Sequence, residues 1–230
     1  MIPLRDTIPS RTFPVMTVAL IAANVLVFLH ELSLGEQHGA AFVAVFGAVP
    51  AQFTGSVPHA APVLPPVLTI GTSMFLHAGL LHLLGNMVFL WIFGNNVEDA
   101  TGHLRFLFFY LCCGTAAAIA HIATHPASTV PMIGASGAIS GVLGAYFLLF
   151  PFARIVTLVI LGFFATTVNI PAFFFLGFWF LAQFLSGAAS SGGEGGGVAF
   201  DAHIGGFIAG FALLVPFKQR GVRLWSTATG

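Results

Sequence analysis

Residues 134–141 read Gly-Ala-Ser-Gly-Ala-Ile-Ser-Gly, a run of small residues that opens a long apolar segment. In a membrane helix, Gly, Ala and Ser at every third or fourth position let two backbones approach closely. Gly137 and Gly141 fit that pattern, so the stretch by itself favours a helix-packing face. Ser136 could instead be a nucleophile. Residues elsewhere in the chain are needed to decide between the two interpretations.

The composition indicates an integral membrane protein. Of the 230 residues, 57% are hydrophobic and 6% are charged, whereas a soluble domain has about 25% charged residues. The formal net charge is +0 and there is no basic block, so the sequence predicts no nucleic-acid partner. Cys112 and Cys113 are neighbours in an apolar run, which favours small apolar packing over a disulfide.

Six apolar segments have about the length that a bilayer crossing requires. They lie near residues 15–32, 77–95, 104–123, 134–151, 170–186 and 202–217. A further apolar stretch at 155–169 could be a seventh crossing, and hydropathy alone leaves that choice open.

The basic residues decide between six crossings and seven, because Lys and Arg collect in short cytoplasmic loops. With six crossings and a cytoplasmic N-terminus, all seven basic residues lie on the cytoplasmic side. We therefore predict an all-α six-helix membrane protein with both termini cytoplasmic. It comprises a short tail at 1–14, a membrane domain at 15–217 and a basic tail at 218–230. Residues 155–169 are expected to lie in the interface or to re-enter the membrane.

The predicted outer loops differ in character. Residues 33–76 are rich in Ala, Val, Phe and Pro, so we expect this loop to dip into the membrane surface. Residues 186–197 consist mainly of Gly and Ser, a composition that suits either a movable lid or an idle linker.

Polar side chains inside a bilayer are costly, so those within the predicted spans are candidates for function. His82 and Asn86 are four residues apart and share one face of the second span. Ser136 opens the fourth span and His203 opens the sixth. In the predicted orientation these three spans run from outside to inside, so the four side chains should meet at one outer depth.

Together these groups supply the parts of a serine hydrolase. A Ser hydroxyl becomes a nucleophile when a base within hydrogen-bond reach takes its proton, and His has a suitable pKa. We expect Ser136 as the nucleophile and His203 as the base. His82, Asn86 and backbone amides at the start of the fourth helix would donate to the oxyanion.

Asp201 does not complete a triad in this interpretation. Residues two apart on a helix point in nearly opposite directions, so Asp201 is expected to be the N-cap of the sixth helix instead. The predicted catalytic unit is a Ser-His dyad.

Some of the histidines could instead bind a metal ion. His121 and His125, at i and i+4, could ligate a metal, but the sequence places no carboxylate or thiolate partner near them. The HExxH motif is also absent. We predict no metal and no other cofactor.

The fifth predicted span carries an aromatic run. It is expected to face lipid or to pack against other helices, and the alternative is a side gate through which a substrate helix enters. The run comprises Phe173, Phe174, Phe175, Phe178, Trp179 and Phe180.

Three motifs of the chain resemble those of the rhomboid intramembrane serine proteases. They are Gly134-Ala135-Ser136-Gly137, His82-Leu83-Leu84-Gly85-Asn86 and Ala202-His203-Ile204-Gly205-Gly206. A further resemblance is to the family's motif at the cytoplasmic start of the third helix, which corresponds here to Glu98, Gly102, Arg105 and Phe106. The resemblance extends from the first span to Phe217.

This resemblance implies a six-helix rhomboid-like bundle in which Ser136 attacks the scissile carbonyl and His203 is its base. It also implies an oxyanion hole formed by His82, Asn86 and the Ser136 backbone amide. Gly206 and Gly210 would let the sixth helix pack on the fourth. Many relatives carry an aromatic residue four positions after the nucleophile, on which the imidazole stacks, whereas this chain has Ser140 there; what orients His203 is therefore open.

The expected substrates are transmembrane proteins cut near the outer face of the membrane, and membrane lipid is the expected surrounding. Two alternatives stay open: a catalytically inactive rhomboid-like protein that binds membrane clients, and a transporter with a His-lined path. The short loops favour a prokaryotic plasma membrane. The sequence makes no prediction of oligomeric state.

Overall fold

The computed structural model describes residues 2–56, 64–162, 164–190 and 199–226. In these ranges the chain forms nine helices and three strands. The helices are α1 (Val15–Ser33), α2 (Gly35–Phe46), α3 (Pro50–Thr54), α4 (Pro66–Ser73), α5 (Leu80–Thr101), α6 (His103–Thr124), α7 (Ser136–Leu149), α8 (Ala172–Ser190) and α9 (Phe200–Phe217). The strands are β1 (Ile2–Arg5), β2 (Arg154–Leu161) and β3 (Phe164–Pro171).

Four helices of the described ranges are long and apolar enough to cross a membrane: α1, α5, α6 and α9. Two further apolar helices are shorter, α7 and the 172–186 part of α8. Each of the six predicted spans therefore corresponds to an apolar helix. The architecture is mostly helical, as the composition predicts.

The prediction of an all-α protein is wrong at residues 154–161 and 164–171, which form the two strands of a β-hairpin. β2 pairs antiparallel with β3, and β1 pairs antiparallel with β2. The hairpin is rich in Val, Ile and Thr, which favour strands, and Gly162 adopts a positive φ of 61° at its turn. Paired strands form hydrogen bonds between each other's backbone N–H and C=O groups. This apolar stretch can therefore satisfy its backbone groups without forming a helix.

The helix α7 occupies the centre of the bundle, and all but two of its residues are buried. It packs against α9 through glycines on both helices. A Cβ on Gly206 would overlap the carbonyl oxygen of Gly137, and a Cβ on Gly210 would overlap that of Gly141. The two backbones are therefore in direct contact, an approach that only small residues permit.

Acidic residues of α5 anchor the N-terminal segment at the other end of the bundle. α5 extends past residue 95, so Glu98 and Asp99 belong to its last turn rather than to a loop. Glu98 is 1% exposed and accepts hydrogen bonds from the backbone N–H groups of Met16 and Thr17, each at 2.8 Å. Asp99 accepts the backbone N–H of Arg11 at 2.6 Å. These bonds satisfy donors at the start of α1 that the helix itself leaves free.

The segment predicted as the first outer loop is largely helical, since it contains α2, α3 and α4. Reciprocal backbone hydrogen bonds between Ala48 and Met132 join it to the segment that precedes α7. α8 continues to Ser190, and the rest of the Gly/Ser segment predicted as a lid or linker, residues 191–197, lies outside the described residues.

Candidate active site

Three helices begin at the same end of the bundle and bring the predicted site residues together. α5 begins at Leu80, α7 at Ser136 and α9 at Phe200. Their first turns surround a cavity of about 300 Å³. The cavity is lined by all four predicted polar residues, His82, Asn86, Ser136 and His203.

Ser136 and His203 are in direct hydrogen-bond contact. The distance between Ser136 Oγ and His203 Nε2 is 2.7 Å. His203 is 7% exposed, so its ring is largely shielded from solvent. Ser136 is the first residue of α7, where the backbone N–H groups have no partner within the helix. The hydroxyl, the base and free backbone donors are thus adjacent.

Asn86 and His82 line the same cavity from α5. The Asn86 side-chain nitrogen has no hydrogen-bond partner among the described residues, although buried polar groups are normally paired. A Cβ added to Gly134 would lie 3.0 Å from His82 Nε2 and 3.7 Å from Ser136 Oγ. This glycine, whose φ is 119°, therefore leaves space for the His82 ring beside the hydroxyl.

Gln183 contacts His203 on the side of the ring opposite Ser136, and the sequence analysis did not identify it. Its Oε1 lies 2.6 Å from His203 Nδ1. Because an amide oxygen can only accept, Nδ1 carries the proton in this pair, and Nε2 is left with a lone pair for the Ser136 hydroxyl. Gln183 therefore selects the tautomer in which His203 can act as a base.

Aromatic rings of α8 and α9 pack around the imidazole. The Trp179 ring lies 6.0 Å from the His203 ring at an interplanar angle of 34°, and the Phe200 ring meets it edge-on at 6.4 Å. Ser140, four residues after Ser136, donates its hydroxyl to the Ser136 carbonyl at 2.7 Å instead. Ser140 has no aromatic ring to pack on the imidazole, and Trp179 provides that contact instead. Trp179 lies four residues before Gln183, so the two side chains share one face of α8.

The remaining aromatic residues of the run divide between the surface and the core. Phe173, Phe174 and Phe178 are exposed, whereas Phe175 is 7% exposed and packs near Phe93. The run is therefore partly an outer apolar surface and partly core packing.

Two predictions about the start of α9 are wrong. The N-cap position is Ala199, and Asp201 lies in the first turn without capping it. Asp201 Oδ2 instead lies 3.4 Å from His125 Nδ1, and a third residue, His121, joins this group. The histidines at the end of α6 therefore do have a carboxylate near them, from a helix 76 residues further along the chain.

Comparison with known proteins identifies the family. The model of the Rhomboid domain matches residues 65–220, a range that includes all the cavity residues named above. The chain belongs to the rhomboid family, and it is a mostly helical integral membrane protein.

Two named relatives show how far the similarity extends. The chain is 32% identical over 204 residues to "Rhomboid protease GluP" of Bacillus subtilis, which is 88% of this chain and 36% of that protein. It is 32% identical over 149 residues to "Rhomboid protein 1, mitochondrial" of Saccharomyces cerevisiae, which is 62% of this chain and 40% of that protein. The chain thus spans well under half the length of these relatives.

Proposed function

We propose that this protein is an intramembrane serine endopeptidase that uses a Ser136-His203 dyad. The observation that carries the proposal is the 2.7 Å distance between Ser136 Oγ and His203 Nε2. The Rhomboid match and the protease name of the Bacillus subtilis relative support the reaction type.

In the first step His203 Nε2 takes the Ser136 proton while Oγ attacks the carbonyl carbon of the scissile peptide. The imidazolium that forms is held by Gln183 through Nδ1, and Gln183 acts here as a positioning residue. When the tetrahedral intermediate breaks down, the same proton passes to the leaving amine. Water then repeats the sequence on the acyl-enzyme and frees Ser136.

The negative oxygen of the intermediate needs donors that are already in place. The Asn86 amide nitrogen has no partner among the described residues, and Asn86 lines the cavity with His82 and Ser136. The side chains of Asn86 and His82, together with the backbone N–H of Ser136, would supply the donors. Donors fixed before the reaction lower the barrier because they need not reorganise when charge develops.

The membrane setting completes the proposal. Six helices, α1, α5, α6, α7, α8 and α9, would span the bilayer with both termini in the cytoplasm. All seven basic residues lie before α1, at the start of α6, after α7 or after α9, at the end of the bundle away from Ser136. Because Lys and Arg favour the cytoplasmic side, the site would face outward, and the substrates would be transmembrane proteins cut near their outer ends.

Labelling with a serine-reactive fluorophosphonate in detergent tests the dyad. We expect the wild-type protein to be labelled, and Ser136→Ala and His203→Ala to lose labelling. Ser33→Ala, a surface serine at the end of α1, is the matched control and should label normally. Equal labelling of all four proteins would refute the mechanism.

A further inference from the structure

His121, His125 and Asp201 form a cluster at the same end of the bundle as Ser136 but outside its cavity. Each residue offers one ligand atom, and these atoms lie within 4.8 Å of one another. His125 follows the last residue of α6, and Asp201 belongs to the first turn of α9. The cluster thus joins the end of one helix to the start of another.

We propose that this cluster binds a divalent transition-metal ion of the zinc class. Two imidazoles and one carboxylate are a ligand set that Zn²⁺ and its neighbours prefer over Ca²⁺ or Mg²⁺, which take oxygen ligands. Three protein ligands leave a fourth position for water. This inference does not depend on the proposed function, because it concerns a different set of residues.

An unpaired polar atom supports the site. His121 Nδ1 is shielded from solvent and has no hydrogen-bond partner among the described residues, although such an atom normally finds one. The His121 and His125 rings lie 4.8 Å apart at an interplanar angle of 28°. A cation shared by these rings would give His121 the partner that it lacks.

The distances are within reach of side-chain rotation. Zn–N and Zn–O bonds of about 2.0–2.2 Å with tetrahedral angles place ligand atoms roughly 3.4 Å apart. His125 Nδ1 and Asp201 Oδ2 are already 3.4 Å apart, so only the His121 contact has to close. The metal would replace the contact of His125 Nδ1 with the Thr124 hydroxyl, which lies 3.0 Å away.

The metal would link the end of α6 to the start of α9, the helix that contains His203. Asp201 is two residues before His203 on α9, and α6 and α9 pack along their lengths. A ligand that binds only the folded state stabilises it. We therefore expect bound metal to raise the melting temperature of the protein without being required for the chemistry of Ser136.

The test uses full-length protein without a polyhistidine tag, stripped with a chelator and titrated with Co²⁺ and with Zn²⁺ in detergent. We expect the visible absorption of Co²⁺ bound to nitrogen and oxygen, displacement of Co²⁺ by Zn²⁺ at one ion per chain, and a higher melting temperature with Zn²⁺. His125→Ala and Asp201→Asn should each weaken binding by at least about tenfold, as the loss of metal-site groups commonly does.

His38→Ala is the matched control, because His38 is an exposed histidine on α2, and it should bind as the wild type does. The His125 side chain is 43% exposed, so its replacement should not impair folding, and fluorophosphonate labelling reports on that separately. Absence of one-to-one binding in the wild type, or binding that His125→Ala and Asp201→Asn leave unchanged, would overturn the proposal.

Discussion

Replacing Gln183 tests whether a neutral amide orients His203, the proposed catalytic base. Gln183→Leu keeps most of the side-chain volume but removes the acceptor that lies 2.6 Å from His203 Nδ1. The Nδ1–H would then have no partner in the part of the chain that the structure describes. We expect kcat to fall by a larger factor than KM for a transmembrane substrate rises, because the lost hydrogen bond acts on the His203 ring, whereas Gln183 is only one of thirteen residues that line the cavity.

The size of the effect follows from the charge that His203 would carry in the transition state of the proposed mechanism. A hydrogen bond to a charged group contributes roughly 1.5–3 kcal/mol, and about 1.4 kcal/mol corresponds to a tenfold change in rate. Gln183→Leu should therefore lower kcat by about 10- to 150-fold. Gln183→Glu keeps an acceptor at the same position and should recover most of that loss.

The assay is the cleavage of a model transmembrane substrate in proteoliposomes, with the rate of fluorophosphonate labelling as a second readout that needs no substrate entry. Gln37→Leu, at an exposed position of α2, is the matched control and should have wild-type kinetics. A folded Gln183→Leu protein with kcat within twofold of the wild type would show that His203 is oriented by packing alone.

Three further changes probe other parts of the structure. Asn86→Ala should slow turnover by about 10²–10³-fold, as the loss of an oxyanion donor does, yet still permit labelling; an unaltered rate would remove Asn86 from the site. Gly210→Ala should destabilise the protein by about 1–3 kcal/mol, since its Cβ meets the Gly141 carbonyl, whereas Gly177→Ala, with no atom near its Cβ, should melt as the wild type does. Burial raises the pKa of Asp6 from 3.8 to about 6, so the folded state holds this proton more tightly than the unfolded state. Thermal stability should fall as the pH rises from 3.8 through about 6, by up to about 3 kcal/mol, and Asp6→Asn should remove that fall; a wild-type stability that rises in this window would contradict the assignment.

The sequence was sufficient to predict the six apolar helices of the predicted spans and the family because both depend on local features, whereas α2, α3 and α4 were expected to be a loop. Apolar segments of about 20 residues predict helices, and each of the six contains one. The four polar residues of the cavity were found because polar groups are rare in apolar spans and because the orientation of the spans places their starts at one end. The family match of residues 65–220 confirms the resemblance to the rhomboid family, and the roles of the four residues stay predictions.

The β-hairpin could not be predicted from hydropathy, because an apolar stretch of its length suits a membrane helix equally well. Its strand character rests on β-branched residues and on pairing with residues 2–5, which lie some 150 positions away. Long-range pairing of this kind leaves no periodic signal in a stretch that is apolar on both faces.

Gln183 and the partner of His125 were missed for a different reason. Gln183 is an uncharged amide on an aromatic helix, and unlike Asn86 it has no histidine four residues away to indicate a functional face. A single amide in an otherwise apolar segment is itself unusual and could have identified it. The contact of Asp201 with His125 joins two helices that are distant in sequence, so only the packing of α6 against α9 reveals it.

The position of Gln183 on α8 has a consequence for how the dyad works. Ser136 begins a helix that is held by the glycine contacts of α7 with α9. Gln183 and Trp179, which contact the His203 ring, belong instead to α8, whose outer face is apolar and exposed, as at Phe178 and Phe184. A hydrogen bond of 2.6 Å weakens once its atoms separate beyond about 3.2 Å. A displacement of α8 by less than 1 Å would therefore weaken the hydrogen bond between Gln183 and His203 while leaving Ser136 in place. The proposed dyad has no carboxylate, so the tautomer of His203 would depend on how α8 packs against α9. The outer surface of α8 would then influence the basicity of a residue that it does not touch.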